Sequence, residues 1–182
     1  MSHITESLND KDKRFIKNQK IFFVTTSPKE GKLNLSPKGL DDTFKIVNNN
    51  KILWLNYFGS GNETATHLLE DNRMTIMFCA FEGKPNILRL YCTARAIQEK
   101  DEEWEEYLMN FEVPRAARQI FEVSILNVNN SCGMGVPLYD FVNQRQDLTN
   151  YFDKRNNEDY IRYMKKNNQV SFDGKDTKLF GD

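Results

Sequence analysis

The stretch NILRLYCTARAIQ, residues 86–98, constrains the fold most, because two kinds of side chain alternate along it. One set is apolar or small and comprises Leu88, Leu90, Cys92, Ala94 and Ala96. The other set is polar, basic or aromatic and comprises Arg89, Tyr91, Thr93 and Arg95. Successive side chains of a strand point to opposite faces, so this period of two predicts a strand whose first set lies in a core. The second set is too aromatic and too basic for a face that meets only water.

Further strands are predicted where short apolar runs end at turn residues. They lie at residues 21–27, 32–39, 43–47, 51–58, 73–81 and 119–128. Helical periodicity predicts helices at residues 7–18, 62–71, 101–111 and 158–167. Strands and helices do not alternate as they do in a parallel α/β protein, and the turns between strands are short. We therefore expect a mainly β protein, a small antiparallel barrel with helices at its ends.

Composition limits the classes of function. The 182 residues suffice for one domain, and 25 basic against 26 acidic residues give a net charge of −1, which favours neither nucleic acid nor an anionic membrane as a partner. No apolar run reaches the roughly 18 residues of a membrane span, and residues 1–14 are too polar for a signal peptide. The three cysteines Cys79, Cys92 and Cys132 lack metal-type spacing and predict reduced thiols in a cytoplasmic protein. His3 and His67 are the only histidines, so we expect no histidine-rich metal site.

The segment GSGNET, residues 59–64, joins a predicted strand to a predicted helix. The first N–H groups of a helix lack intrahelical acceptors and carry partial positive charge, so such an end binds anions readily. Glycines there let the backbone approach a ligand closely. The alternative interpretation is purely structural: Asn62 caps the helix and the glycines form the corner. The glycine spacing matches neither a P-loop nor a dinucleotide-binding fingerprint.

Two basic residues support a ligand-binding role for the glycine-rich segment. Lys38 follows a strand in the segment LSPKG, and Arg89 lies on the alternating strand. Either residue alone is as readily explained as a surface cation. Together with a helix start suited to anions, they would suit a phosphorylated cofactor.

The segments LNLSPKG, LWLNYFGSGNETATHL, RMTIMFCAF and ILRLYCTA, in this order, resemble the pyridoxamine 5′-phosphate oxidase-like family of FMN-binding split barrels. The resemblance covers about residues 15–130. Residues 131–141 and 167–174 resemble the extra C-terminal segment of an uncharacterised subgroup. The resemblance implies a six-stranded antiparallel Greek-key split β-barrel, a helical extension over about residues 131–182, and FMN bound at the interface of a homodimer.

The resemblance also implies a set of cofactor-binding residues: Leu35, Ser36, Lys38, Leu55, Asn62, Glu63, Thr64 and Arg89. In the family, the backbone of the strand at residues 32–38 holds the isoalloxazine ring. The strand-to-helix junction at residues 62–64 holds the phosphate end. The strand of residues 51–58 contacts the flavin, and the strand that carries the arginine reaches the cleft.

Two departures from the family pattern bear on activity. The oxidases proper have basic residues where this chain has Glu63 and Thr64, and a carboxylate there repels phosphate unless it points away. Lys38 or Arg89 would then supply the positive charge. The C-terminal arginine-x-histidine that grips the substrate phosphate is absent, because His67 is the last histidine, so we expect no vitamin B6 oxidase activity.

Two functions remain open from the sequence. The first is an FMN-dependent oxidoreductase that acts on an unknown small substrate, in which the flavin carries the redox chemistry and no catalytic residue stands out. The alternative is a non-enzymatic binder of flavin, deazaflavin or haem. His67 is the one internal candidate for an axial haem ligand, although a histidine packed within a helix is the commoner arrangement. Nothing near Cys132 in the sequence lowers its pKa, so a redox role for this residue is not favoured.

Overall fold

The computed structural model describes residues 3–112 and 116–181. Within these ranges the chain forms eight strands and five helices. In chain order they are β1 (His3–Thr5), α1 (Asp10–Asn18), β2 (Phe22–Thr26), β3 (Asn34–Lys38), β4 (Phe44–Ile46), β5 (Lys51–Tyr57), α2 (Glu63–Glu70), β6 (Arg73–Cys79), β7 (Ile87–Ile97), α3 (Trp104–Leu108), β8 (Ala117–Ser131), α4 (Asp147–Asp153) and α5 (Asn157–Asn167).

All strands belong to one antiparallel sheet in the order β3-β2-β6-β7-β8-β5-β4, with β1 paired to the other part of β8. Strands β3 and β4 follow each other in the chain but lie at opposite ends of this order. The expected mainly β split-barrel architecture is confirmed. The strand number differs from the expected six, because β1 and β4, of three residues each, add to six longer strands.

The alternating strand β7 places its residues as the sequence predicts. Leu88, Leu90, Cys92 and Ala94 are buried in the main core. The aromatic rings of Trp54 and Phe121, 4.5 Å apart, stack in the same core. The antiparallel partner β8 absorbs an irregularity opposite Tyr91 and Cys92, so the β7 pattern continues without changing face.

Strand β5 is buried on both faces, and this explains why its apolar residues are consecutive. Ile52 and Trp54 pack in the main core. Leu53 and Leu55 point to the opposite face, where Trp104 of α3 covers them. Helix α3 is shorter than the predicted range of 101–111, and its Trp104 and Tyr107 pack in this second cluster.

A charged network lies beside α3 and centres on Glu122 of β8. The Glu122 carboxylate accepts a hydrogen bond from the Tyr107 hydroxyl at 2.8 Å and forms ion pairs with Lys51 and Arg95. Burial raises the pKa of Glu122, but the hydrogen bonds from these three groups outweigh burial and lower the pKa to about 2. The network ties β5, β7, β8 and α3 together.

The C-terminal extension forms two helices, of which the sequence predicted only α5. Asn156 caps α5 through a reciprocal bond pair with Asp159. Helices α4 and α5 close a third cluster around Phe58, which follows β5 and contacts Phe152 and Tyr160 at 4.8 and 5.0 Å between ring centroids. The extension is thus anchored next to the glycine-rich segment.

The structure bears on two further expectations from composition. Across the described ranges, no helix has the length and apolar character needed to cross a bilayer. All three cysteines are free, with Cys79 and Cys92 buried and Cys132 exposed. Burial raises the pKa of Cys92 to about 12, so this thiol stays protonated.

Candidate functional site

A cavity of about 260 Å³ lies between β3, the glycine-rich segment and the start of β8. Polar side chains and backbone groups make up most of its wall. The lining residues are Asn34, Ser36, Lys38, Asn56, Tyr57, Gly59, Ser60, Gly61, Asn62, Glu63, Thr64 and Arg118. Five of the eight predicted cofactor-binding residues are among them.

Strand β3 supplies one wall through its alternation. Asn34, Ser36 and Lys38 face the cavity, whereas Leu35 points outward and is 64% exposed. Strand β3 is an edge strand that pairs with β2 alone, which suits Pro37 because proline cannot donate a hydrogen bond to a second neighbour. The cavity therefore lies at an open edge of the sheet.

Lys38 and Arg118 bring two positive charges into the cavity wall. Burial and the nearby charge of Arg118 lower the pKa of Lys38 to about 8, and burial lowers the pKa of Arg118 to about 10. Among the described residues, no carboxylate offsets this burial at either group. Two desolvated cations that repel each other favour an anion between them.

Within the part of the chain that the structure describes, three buried polar atoms of the cavity wall have no hydrogen-bond partner. They are Oγ of Ser36, Nδ2 of Asn62 and Nε of Arg118. A buried unpaired polar group costs about 1–3 kcal/mol, so native proteins satisfy nearly all of them. Three such atoms around one cavity make it a candidate site for a polar ligand.

The purely structural interpretation of the glycine-rich segment requires the Asn62 side chain to cap the start of α2. Asn62 occupies the N-cap position, but its side chain makes no capping bond. Its Oδ1 instead accepts a hydrogen bond from Nε2 of the buried Gln119, at 2.7 Å. The hydroxyl of Thr64 accepts from Nδ2 of Asn34 at 3.2 Å, which links the helix start to β3.

Glu63 turns its carboxylate toward the C-terminal extension. Its Oε1 accepts a hydrogen bond from the backbone N–H of Phe172 at 2.9 Å. Because the Glu63 carboxylate is turned toward the extension, it need not repel a phosphate bound at the junction. Glu63 also lines a second cavity of about 600 Å³, which Val170, Phe172 and Asp173 close from the other side.

Leu35, Leu55 and Arg89 lie outside the 260 Å³ cavity. Both faces of β5 are buried, and Leu55 lies on the face that α3 covers. Arg89 donates a hydrogen bond to Oγ of Ser131 at 3.1 Å, on another part of the sheet. In this chain these three residues do not join the cluster that Lys38 forms.

Sequence reasoning missed Arg118, which is buried and donates to the carbonyl oxygen of Gly61 at 2.8 Å. The pairing of β5 with β8 is irregular between Asn56 and Tyr57, and Arg118 lies opposite this irregularity. Its closeness to the glycine-rich segment depends on that long-range pairing. No local sequence signal could have revealed it.

Comparison with known proteins identifies the family. The family model described as pyridoxamine 5′-phosphate oxidase matches residues 8–132. The chain belongs to this family. It is also 40% identical over 139 residues to the pyridoxamine 5′-phosphate oxidase family protein ustO of Aspergillus flavus. That match covers 74% of this chain and 56% of ustO, so the chain spans little more than half the length of this relative.

Solved structures agree on the fold. A crystal structure of a variant of HupZ from Group A Streptococcus superposes with a TM-score of 0.54 at 14% identity, covering 68% of this chain and 98% of that chain. A second HupZ structure gives a TM-score of 0.51 at 15% identity, covering 65% and 89%. At this level of identity the likeness extends to the fold alone.

Proposed function

We propose that this family member binds FMN in the 260 Å³ cavity and acts as an FMN-dependent oxidoreductase on a small substrate. The observation that carries the proposal is a pair of cations, the half-buried Lys38 and the buried Arg118, in one wall with three polar atoms that lack a partner among the described residues. A terminal phosphate matches this set of donors, and a neutral ligand does not.

The residues present fit a phosphorylated flavin. Lys38 and Arg118 would hold the phosphate together with the uncapped N–H groups of the first turn of α2, while Ser36 and Asn62 would bond the polar chain that follows it. The volume of about 260 Å³ lies below the roughly 300–1,000 Å³ of pockets that enclose a whole ligand. The flat ring would therefore extend along the open edge at β3.

When bound, FMN supplies hydride and electron transfer. The protein's own groups then have three tasks: they neutralise the phosphate, fix the direction in which the ring leaves the cavity, and keep water from the anion. None of these tasks needs an acid or a base from the protein.

We also propose that the protein forms a homodimer that covers the open edge. Leu33 and Leu35, 73% and 64% exposed, flank the cavity, and the outer sheet face exposes Tyr91 and Leu126. A two-fold contact buries such apolar groups with one surface. Light scattering should give twice the 21.4 kDa of one chain at micromolar concentration, and a monomer would contradict the proposal.

We infer that the ligand is a flavin rather than haem. His67 is 2% exposed, its Nδ1 lies 3.1 Å from Oγ1 of Thr26, and its Nε2 lies 4.0 Å from the Glu63 carboxylate. His67 lines the 600 Å³ cavity, but a side chain so enclosed offers little of its ring to a large planar ligand. A non-enzymatic flavin or deazaflavin carrier would use the same donors as the enzyme.

The visible spectrum of protein purified without added cofactor tests the ligand, and reduction by NADH or NADPH under anaerobic conditions tests the activity. We expect a flavin spectrum that one of the two nucleotides bleaches. A haem spectrum would overturn the ligand assignment. A bound flavin that neither nucleotide reduces would favour the carrier.

A further inference from the structure

Residues 168–177 form a compact turn, which we call the clasp. Its own hydrogen bonds hold it together: the Ser171 N–H donates to the Lys175 carbonyl at 2.8 Å and the Thr177 N–H to the Gln169 carbonyl at 3.0 Å. Asn168, Ser171 and Thr177 are buried. The clasp lies beyond residues 8–132, the part of the chain that the family model matches.

The clasp binds the loop that leads into β3. The Asp173 carboxylate accepts hydrogen bonds from the backbone N–H of Lys32 at 2.7 Å and from its Nζ at 3.0 Å. Nζ of Lys175 donates to the Glu30 carbonyl at 2.6 Å. Gly31 between them has a φ of +130°, a backbone conformation that favours glycine.

The clasp also binds the glycine-rich segment and α2. Nδ2 of Asn168 donates to the Gly59 carbonyl at 2.9 Å, and the Phe172 N–H donates to Oε1 of Glu63 at 2.9 Å. Farther along α2, Nζ of Lys175 pairs with the Glu70 carboxylate at 2.7 Å. One short segment therefore contacts both the loop that leads into the β3 wall and the glycine-rich wall of the proposed flavin cavity.

The two walls need such a link because the sheet does not provide one. Among the described strands, β3 pairs with β2 alone and β5 pairs with β4 and β8, so no backbone ladder there joins β3 to the segment that follows β5. That segment contains Gly59 and Gly61, which leave the backbone free to adopt other conformations. Any fraction of the protein in another conformation lowers the apparent affinity in proportion.

We propose that Glu63 is a positioning residue for the cofactor, and the inference rests on the proposed function. By accepting the Phe172 N–H, Glu63 joins the clasp to the first residue of α2 and fixes the segment in its anion-binding conformation. The oxidases proper carry positive charge at this position. In this chain, the Glu63 carboxylate instead connects the family fold to the C-terminal extension.

The test compares Glu63→Gln with Glu63→Ala, because the amide keeps an oxygen acceptor and loses the charge. FMN affinity is measured by calorimetry, and hydrogen–deuterium exchange of residues 168–177 is measured in the protein without flavin. Asp173→Ala breaks the other side of the clasp without touching the 260 Å³ cavity. Glu158→Ala removes an exposed carboxylate of α5 and serves as the control.

We expect Glu63→Ala to weaken FMN binding about tenfold and to speed exchange in the clasp by about ten- to a hundredfold, the range expected for a charge-assisted hydrogen bond. Asp173→Ala should do the same, and Glu63→Gln, which keeps the acceptor oxygen but loses the charge, should fall between Glu63→Ala and the wild type. Glu158→Ala should stay within about threefold of the wild type. Tighter FMN binding by both Glu63 variants would show a repelling charge and overturn the inference.

The two proposals fail in different ways. If the wild-type protein binds no flavin, the proposed function is wrong and the cofactor role of Glu63 falls with it, although exchange still reports whether the clasp contact exists. If FMN binds and exchange in the clasp is unchanged in Glu63→Ala, the proposed function stands and the positioning role is wrong.

Discussion

Replacement of Lys38 by methionine should move stability and cofactor binding in opposite directions. Methionine keeps most of the apolar stem that packs near Trp54 and removes the charge. Burial and Arg118 lower the pKa of Lys38 to about 8, below its value in the unfolded chain. The charged lysine therefore destabilises the free protein below about pH 8, and this cost disappears as the pH rises or when methionine replaces it.

The effect on binding follows from the loss of one charge-assisted hydrogen bond to the phosphate. Such a bond contributes about 1.5–3 kcal/mol, which corresponds to a ten- to hundredfold loss in FMN affinity. Riboflavin, which lacks the phosphate, should lose nothing. In the wild type, FMN affinity should also fall as the pH rises through about 8, because Lys38 then loses its proton, and the Lys38→Met protein should lack this decline.

The assay is a calorimetric titration with FMN at pH 7 and pH 9, together with thermal unfolding of the protein without flavin. Lys84→Met, at an exposed loop position, controls for the general loss of a positive charge. Unchanged FMN affinity in Lys38→Met would refute the argument, since Lys38 would then not contact the ligand. A large loss of thermal stability would contradict the claim that the charge is a cost in the free protein.

Three further changes test the fold. The folded pKa of Glu122 is depressed, so the wild type loses part of its stability as the pH falls from about 4.5 through about 2, and Glu122→Gln should lack this part. Acid unfolding measures the difference, and an unchanged acid profile would argue against the network. Gly133→Ala should lower the melting temperature, since a Cβ there would lie 2.7 Å from the Asn86 backbone nitrogen; an unchanged melting temperature would count against that close contact. Phe58→Ala should cost about 3–5 kcal/mol of unfolding free energy in denaturant titration and should loosen α4 through the lost contact with Phe152; a cost below about 1 kcal/mol would mean that the third cluster is not a core.

Most of the strands could be predicted from the sequence, because periodicity reports which faces are covered. Strand β7 alternates since one face packs in the barrel and the other does not. Strand β5 shows consecutive apolar residues, a pattern that does not reveal which face each residue takes. The resemblance to the family implies that Leu55 contacts the cofactor, whereas the structure places Leu55 under α3.

Only part of the candidate site could be predicted from the sequence. Lys38, Asn62 and Thr64 lie in segments whose local chemistry already suggests anion binding. Arg118 reaches the cavity through a pairing between β5 and β8 that are some 60 residues apart along the chain, so no local pattern identifies it. The direction of the Glu63 carboxylate depends on the C-terminal extension, whose contact with Phe172 only the folded chain shows.

Calorimetric titration of the wild-type protein with FMN and with riboflavin tests the central claim most directly. The two flavins share the ring and the polar chain, and only FMN carries the phosphate that Lys38 and Arg118 would hold. Two charge-assisted contacts predict that FMN binds at least about a hundredfold more tightly than riboflavin. Equal affinity for the two would show that Lys38 and Arg118 do not bind the phosphate of a flavin.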